Sequence, residues 1–172
     1  MTKILTKYGA LALAVALMVP LAQSQSAGIQ TAFGKDAGTL SDKFSGLAHV
    51  MVGKYDWKPG QGVRSVGDVF NLIVMENGML AGVLSGTPNT GAQPAPITNP
   101  GKLQEALKAS YANLQEAITG LSDKDLQTRV KLFGEDMTKQ DALMLILLDQ
   151  HEHLGQSIAY ARTNGVVPPW SK

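Results

Sequence analysis

Apolar residues recur at three- and four-residue steps in four segments of the chain, which is the spacing of one face of an α-helix. No segment sustains the alternation of a β-strand. We therefore expect an all-α protein, and four amphipathic helices of about twenty residues suit a four-helix bundle with long crossover loops. The four segments span about residues 30–52, 65–85, 99–121 and 138–164.

Three helix starts carry capping signals. Ser65-x-x-Asp68 and Thr138-x-x-Asp141 resemble capping boxes, and Asn99 is a good N-cap that is followed by Pro100. The Pro- and Gly-rich stretch up to residue 98 is a long connection. Residues 123–137 form another connection, for which we expect a short turn of helix at its start.

The N-terminus has the pattern of a secretory signal. Lys3 and Lys7 precede an apolar run over residues 9–19, and small and polar residues follow Pro20. The run is too short to span a bilayer comfortably, so we expect cleavage after Ser24, or alternatively after Ala27. This predicts a signal peptide over 1–24, one domain over 28–172, secreted or periplasmic localisation and no stable membrane insertion after processing. An uncleaved anchor is the alternative.

Composition excludes several classes of function. Removal of Lys3 and Lys7 would change the formal net charge from +1 to −1, which leaves no basic excess for nucleic-acid binding. The chain has no cysteine, so disulfides, thiolate nucleophiles and thiolate metal sites are excluded. The 44% hydrophobic content suffices for a real core.

Three polar side chains fall where the helical period predicts core. Asp149 and His153 lie four residues apart on the last helix, and Glu76 lies mid-stripe on the second. Two carboxylates and an imidazole that converge from two helices can hold a divalent transition metal with an open position. Alternatively, Asp149 and His153 hydrogen-bond each other and Glu76 pairs with Arg64 or a lysine.

Five motifs stand out, which are YDWKP at 55–59, GVRSVGDVF at 62–70, DQHEHLGQ at 149–156, AYAR at 159–162 and GVVPPW at 165–170. Together they resemble the DinB-like family over essentially the whole chain from about residue 30. The resemblance implies a four-helix bundle that holds a metal, often zinc or nickel, through three histidines. One histidine comes from the second helix and a His-x-x-x-His pair comes from the last. Some relatives are thiol-dependent transferases or isomerases.

The chain departs from this family pattern at two of the three positions. His153 matches the last histidine, but Asp149 and Leu72 stand at the other two. Glu76 or Asn71 is a candidate substitute on the second helix. We therefore expect a binding or structural module with a degenerate metal site. The alternative is a divalent-metal-dependent hydrolase or transferase that uses a metal-bound water, with zinc, nickel or manganese held by the three candidate ligands. The substrate is unknown, and a homodimer through a helix face is plausible.

Overall fold

The computed structural model describes residues 28–87 and 94–171, so the predicted signal peptide lies outside the described residues. The described chain is mostly helical, as the hydrophobic pattern predicts. In chain order its elements are α1 (Ile29–Val50), α2 (Val66–Ser85), α3 (Pro100–Thr119), α4 (Asp123–Leu126), β1 (Arg129–Leu132), β2 (Glu135–Thr138) and α5 (Lys139–Thr163).

The predicted helix starts are confirmed by their hydrogen bonds. Ser65 Oγ accepts a bond from the Asp68 backbone N–H at 3.1 Å, and the Asp68 carboxylate accepts one from the Ser65 N–H at 3.0 Å. The same reciprocal pair opens α5 at Thr138. Asn99 caps α3 through its side-chain oxygen. These caps satisfy backbone donors that the first helical turn leaves free, and they fix where each helix begins.

The four long helices pack around one apolar core. α3 packs against α1 and α2, and α5 packs against the same two helices. Phe44 of α1 lies at the centre, in ring contact with Phe70 of α2 and Tyr111 of α3. By length and composition α2 can also cross a membrane, which the sequence analysis did not predict, although many of its residues are buried in this core.

A β-hairpin in the connection before α5 corrects the expectation that the chain has no strands. β1 and β2 pair antiparallel, and the tip residues Phe133 and Gly134 both have positive φ, at 52° and 87°. This is the backbone of a two-residue type I′ turn, for which glycine at the second position is typical. Each strand has only four residues, which is too short for alternation to stand out. The predicted short helix at the start of this connection is confirmed as α4.

The buried face of α5 is rotated from the predicted one. The apolar spacing predicts that Leu145, four residues before Asp149, faces inward with it. Leu145 is however 44% exposed, and the buried stripe runs instead through Leu147, Gln150 and Leu154. Asp149 and His153 consequently lie at the margin of the core and not at its centre. This placement gives them a buried neighbour on one side and solvent on the other.

Candidate metal centre

Glu76, Asp149 and His153 form one cluster where α2 faces α5. Each contributes one ligand atom, and these atoms all lie within 4.8 Å of one another. His153 Nε2 is 3.4 Å from Asp149 Oδ2. The predicted convergence of these three side chains is therefore observed.

The three side chains span a gradient from core to solvent. Glu76 is only 5% exposed, whereas the side chains of His153 and Asp149 are 16% and 42% exposed. Asp149 and His153 project from adjacent turns of α5 because residues four apart share a helix face. A small molecule can thus approach the cluster from the Asp149 side, while Glu76 closes the inner side.

The surroundings of Glu76 disfavour its charged form. Burial, and secondarily the hydrogen bonding and negative charge of Asp149, raise the pKa of Glu76 to about 8, although Arg64 and Gln150 act in the opposite direction. Among the described residues, Glu76 Oε2 is a buried oxygen with no hydrogen-bond partner. A buried acceptor without a partner is costly, and a cation would satisfy it.

A chain of hydrogen bonds orients His153. Its Nδ1 lies 3.0 Å from Gln156 Oε1, Gln156 Nε2 donates to Tyr160 OH at 2.8 Å, and Tyr160 OH donates to the Arg64 carbonyl at 3.2 Å. Because the Gln156 nitrogen is used as a donor, its oxygen accepts, which assigns the proton of a neutral imidazole to Nδ1. Nε2, the atom nearest Asp149, is then left with a free lone pair, as metal ligation requires.

A buried amide network behind the cluster was missed by the sequence analysis. Gln150 donates from Nε2 to Asn77 Oδ1 at 2.8 Å and accepts from Tyr111 OH at 2.9 Å, and Asn77 donates to Ser110 Oγ at 3.0 Å. Burial, and then the charge of Glu76, raise the pKa of Tyr111, so its hydroxyl stays protonated. The network ties α2, α3 and α5 together beside Glu76. Its one sequence signal is that the polar residues Asn77 and Gln150 directly follow Glu76 and Asp149.

The other candidate residues are not part of the cluster. The Asn71 amide is occupied, since it donates to the Ile97 carbonyl and accepts from the Ile97 N–H. Leu72, which stands where the family resemblance implies a histidine, is half-buried and apolar and cannot be a ligand. His151 is exposed, and its Nε2 lies 3.0 Å from Asp36. Glu76 is therefore the one of the two suggested substitutes on α2 that reaches Asp149 and His153.

The donor set fits a divalent transition metal. Carboxylate and imidazole ligands suit zinc, manganese, iron and nickel, whereas magnesium and calcium prefer all-oxygen sites. Three protein ligands leave coordination positions open, which is the arrangement of catalytic metal sites. The Glu76 oxygen, which has no hydrogen-bond partner in the described part of the chain, and His153 Nε2, which faces the Asp149 carboxylate at 3.4 Å, both favour a cation as the occupant.

Several metal-binding protein families are helical bundles that hold their ligand residues between facing helices, and this protein has the architecture of that class. A model of the DinB superfamily matches residues 45–157, which is more than half of the chain. The chain belongs to the DinB superfamily, as its motifs suggest. No curated protein matches it.

Two solved structures share the fold. A DinB-like protein from Bacillus cereus ATCC 10987 aligns with a TM-score of 0.69 and 20% identity, over 81% of this chain and 95% of its own. The DinB-like protein YjoA from Bacillus subtilis aligns with a TM-score of 0.63 and 18% identity, over 78% and 92%. At these identities the similarity establishes the fold alone.

Proposed function

We propose that this protein is a divalent-transition-metal-binding four-helix-bundle protein whose ligands are Glu76, Asp149 and His153. The observation that carries the proposal is the cluster itself, in which three ligand atoms lie within 4.8 Å and one buried carboxylate oxygen has no partner among the described residues. Leu72 removes the ligand position on α2 that the family resemblance implies. Glu76, four residues later on the same helix, supplies another, so the site is altered and not lost.

Each side chain has a distinct task in this site. Glu76 must lose its proton before it can ligate, because a carboxylate and not a carboxylic acid binds the metal. His153 is held ready by Gln156, which fixes its ring and its tautomer. Asp149 is the ligand nearest to solvent and adds the second negative charge. The set carries two negative charges and therefore favours a divalent cation.

Metal-dependent hydrolysis or group transfer is the second candidate function. The partial exposure of Asp149 favours it, because that exposure gives a substrate access to the cluster. A bound divalent ion would supply Lewis-acid chemistry at its open positions. The protein would supply orientation of the ligands and exclusion of water on the Glu76 side.

Metal titration of the untagged protein tests the proposal. We expect isothermal titration calorimetry with zinc and manganese at pH 8 to give one site per chain. Asp149→Ala and His153→Ala should each weaken binding at least tenfold, because each removes one of three protein ligands. His151→Ala is the matched control, since it removes an imidazole from the same helix outside the cluster. Absence of binding by the wild type, or equal loss in the control, would contradict the proposal.

We further propose that the protein is exported, on the basis of the charged, apolar and small-residue pattern of residues 1–24. Cell fractionation with N-terminal sequencing tests this. We expect the exported protein to begin at Gln25 or Gly28. An N-terminus at Met1 in the cytosolic fraction would contradict it.

A further inference from the structure

A cavity of about 620 Å³ lies between α2 and residues 94–97. Leu72 and Met79 line it, and they lie four residues before and three residues after Glu76 on α2, so the edge of the cavity wall adjoins the buried ligand although Glu76 itself is outside the lining. The cavity is within the size range of small-molecule sites. Arg64 also lines it, and the Arg64 carbonyl accepts a hydrogen bond from Tyr160, which belongs to the chain that orients His153, so this end of the cavity lies toward the cluster.

The far wall of the cavity is fixed in place. Residues 94–97 form this wall, and both backbone groups of Ile97 are hydrogen-bonded to the Asn71 side chain at 2.8 and 3.1 Å. An asparagine that closes two hydrogen bonds to one residue holds the loop at a set distance from α2. The cavity therefore belongs to the folded structure and is not a gap beside a loose loop.

Two further residues of the lining are unusual for their positions. Phe133 is a bulky residue at positive φ on the hairpin tip and is 65% exposed, yet its ring lines the cavity. Gly78 is inside α2, where glycine is unfavourable, and a Cβ added there would meet no atom within 4 Å. The missing side chain at Gly78 leaves this part of the cavity open.

Arg64 gives the cavity a charged end. Its guanidinium forms no salt bridge with any residue of the two described ranges. Its positive charge is close enough to the Glu76 carboxyl to lower the pKa of that group. Asp68 is the other charged side chain of the lining, and its carboxylate is engaged in the capping box of α2. An unpaired guanidinium beside apolar walls favours a ligand with an apolar body and one anionic group.

We propose that this cavity is the ligand site of the metal centre and that it binds small carboxylates with an apolar tail. The tail lies against Met79, Ile97 and Phe133, and the carboxylate lies at Arg64, at the end nearest the cluster. The role as a substrate site rests on the proposed metal function. Binding of the carboxylate in the cavity does not, because it needs no metal.

Calorimetry with octanoate and octan-1-ol, which share the tail and differ in the anionic group, tests the proposal on the mature chain treated with EDTA. We expect octanoate to bind at least tenfold more tightly than octanol. Arg64→Ala should reduce octanoate affinity about tenfold and leave octanol unchanged. The variant keeps the Arg64 carbonyl that Tyr160 uses, so the fold is retained. Arg162→Ala, which removes an exposed cation from the end of α5, is the control and should bind as the wild type does.

A second variant tests the location. Gly78→Leu fills the cavity without a clash and should abolish binding of both probes, while the melting temperature stays the same or rises. Gly155→Leu, at an open helical position outside the cavity, should have no effect on binding. Equal affinity for both probes, no binding of either, or unchanged binding in Gly78→Leu would overturn the proposal. Asp149→Ala should retain octanoate binding, so a failed metal site and a failed cavity give different results.

Discussion

Replacement of Glu76 by glutamine should remove a pH dependence of stability from the metal-free protein. The pKa of Glu76 is raised from 4.5 to about 8 in the folded chain, first by burial and then by Asp149. The folded state thus holds a proton that the unfolded state releases between these two values. Stability from this group is fully present below pH 4.5 and is lost as the pH rises toward 8.

The size of the effect follows from the shift. A shift from 4.5 to about 8 corresponds to at most about 5 kcal/mol. Asp149 is 42% exposed, so solvent screens its share of the interaction, and we expect about 1–3 kcal/mol. Glutamine has nearly the same shape as glutamic acid and does not ionise. The variant should therefore match the wild type within ~0.5 kcal/mol at pH 4 and exceed its stability by about 1–3 kcal/mol at pH 8.

Urea unfolding followed by circular dichroism at pH 4, 6 and 8 in EDTA measures this difference. The dependence of the unfolding free energy on urea concentration should be the same for both proteins, so that the urea midpoint alone reports the difference in stability. Glu152→Gln, an exposed change on α5, is the control and should follow the wild type at every pH. Parallel pH profiles for the wild type and Glu76→Gln would refute the assignment of a buried, proton-holding carboxyl at this site.

Three other variants test separate parts of the structure. Gln156→Leu should weaken zinc affinity about 10- to 100-fold in calorimetry without a change of stoichiometry, because His153 loses the bond that orients it; unchanged affinity would contradict that role. Gln150→Leu should cost about 2–4 kcal/mol in urea unfolding, because it leaves two buried partners unsatisfied; a loss below ~1 kcal/mol would contradict the network. If exposed Leu148 lies in a homodimer interface, Leu148→Glu should halve the mass measured by light scattering, and a monomeric wild type would contradict the dimer.

The helix boundaries follow from the sequence because their signals are local. A serine or threonine three residues before an aspartate closes two hydrogen bonds within one turn, and nothing distant is needed to form them. Glu76 was identifiable for a similar reason. It is the one charged residue of α2 beyond the first turn and lies among apolar residues, so the helical period assigns it to the core.

The orientation of α5 was less well determined. Residues 142–148 are apolar without interruption, so the spacing of apolar positions does not show which face of the helix is buried. Leu145 was therefore assigned to the core although it is exposed. Gln150 was missed because its burial depends on partners from α2 and α3, which no local pattern reveals. The cavity likewise depends on residues far apart in sequence. Asn71 fixes a loop 26 residues away, and Phe133 reaches the cavity from the hairpin.

Anomalous diffraction from crystals soaked in manganese or zinc tests the central claim most directly. The account predicts one strong peak per chain between α2 and α5, about 2.0–2.3 Å from a Glu76 oxygen, an Asp149 oxygen and His153 Nε2. A peak elsewhere, or no peak at this position with the metal present at a hundredfold excess over the protein, would contradict it.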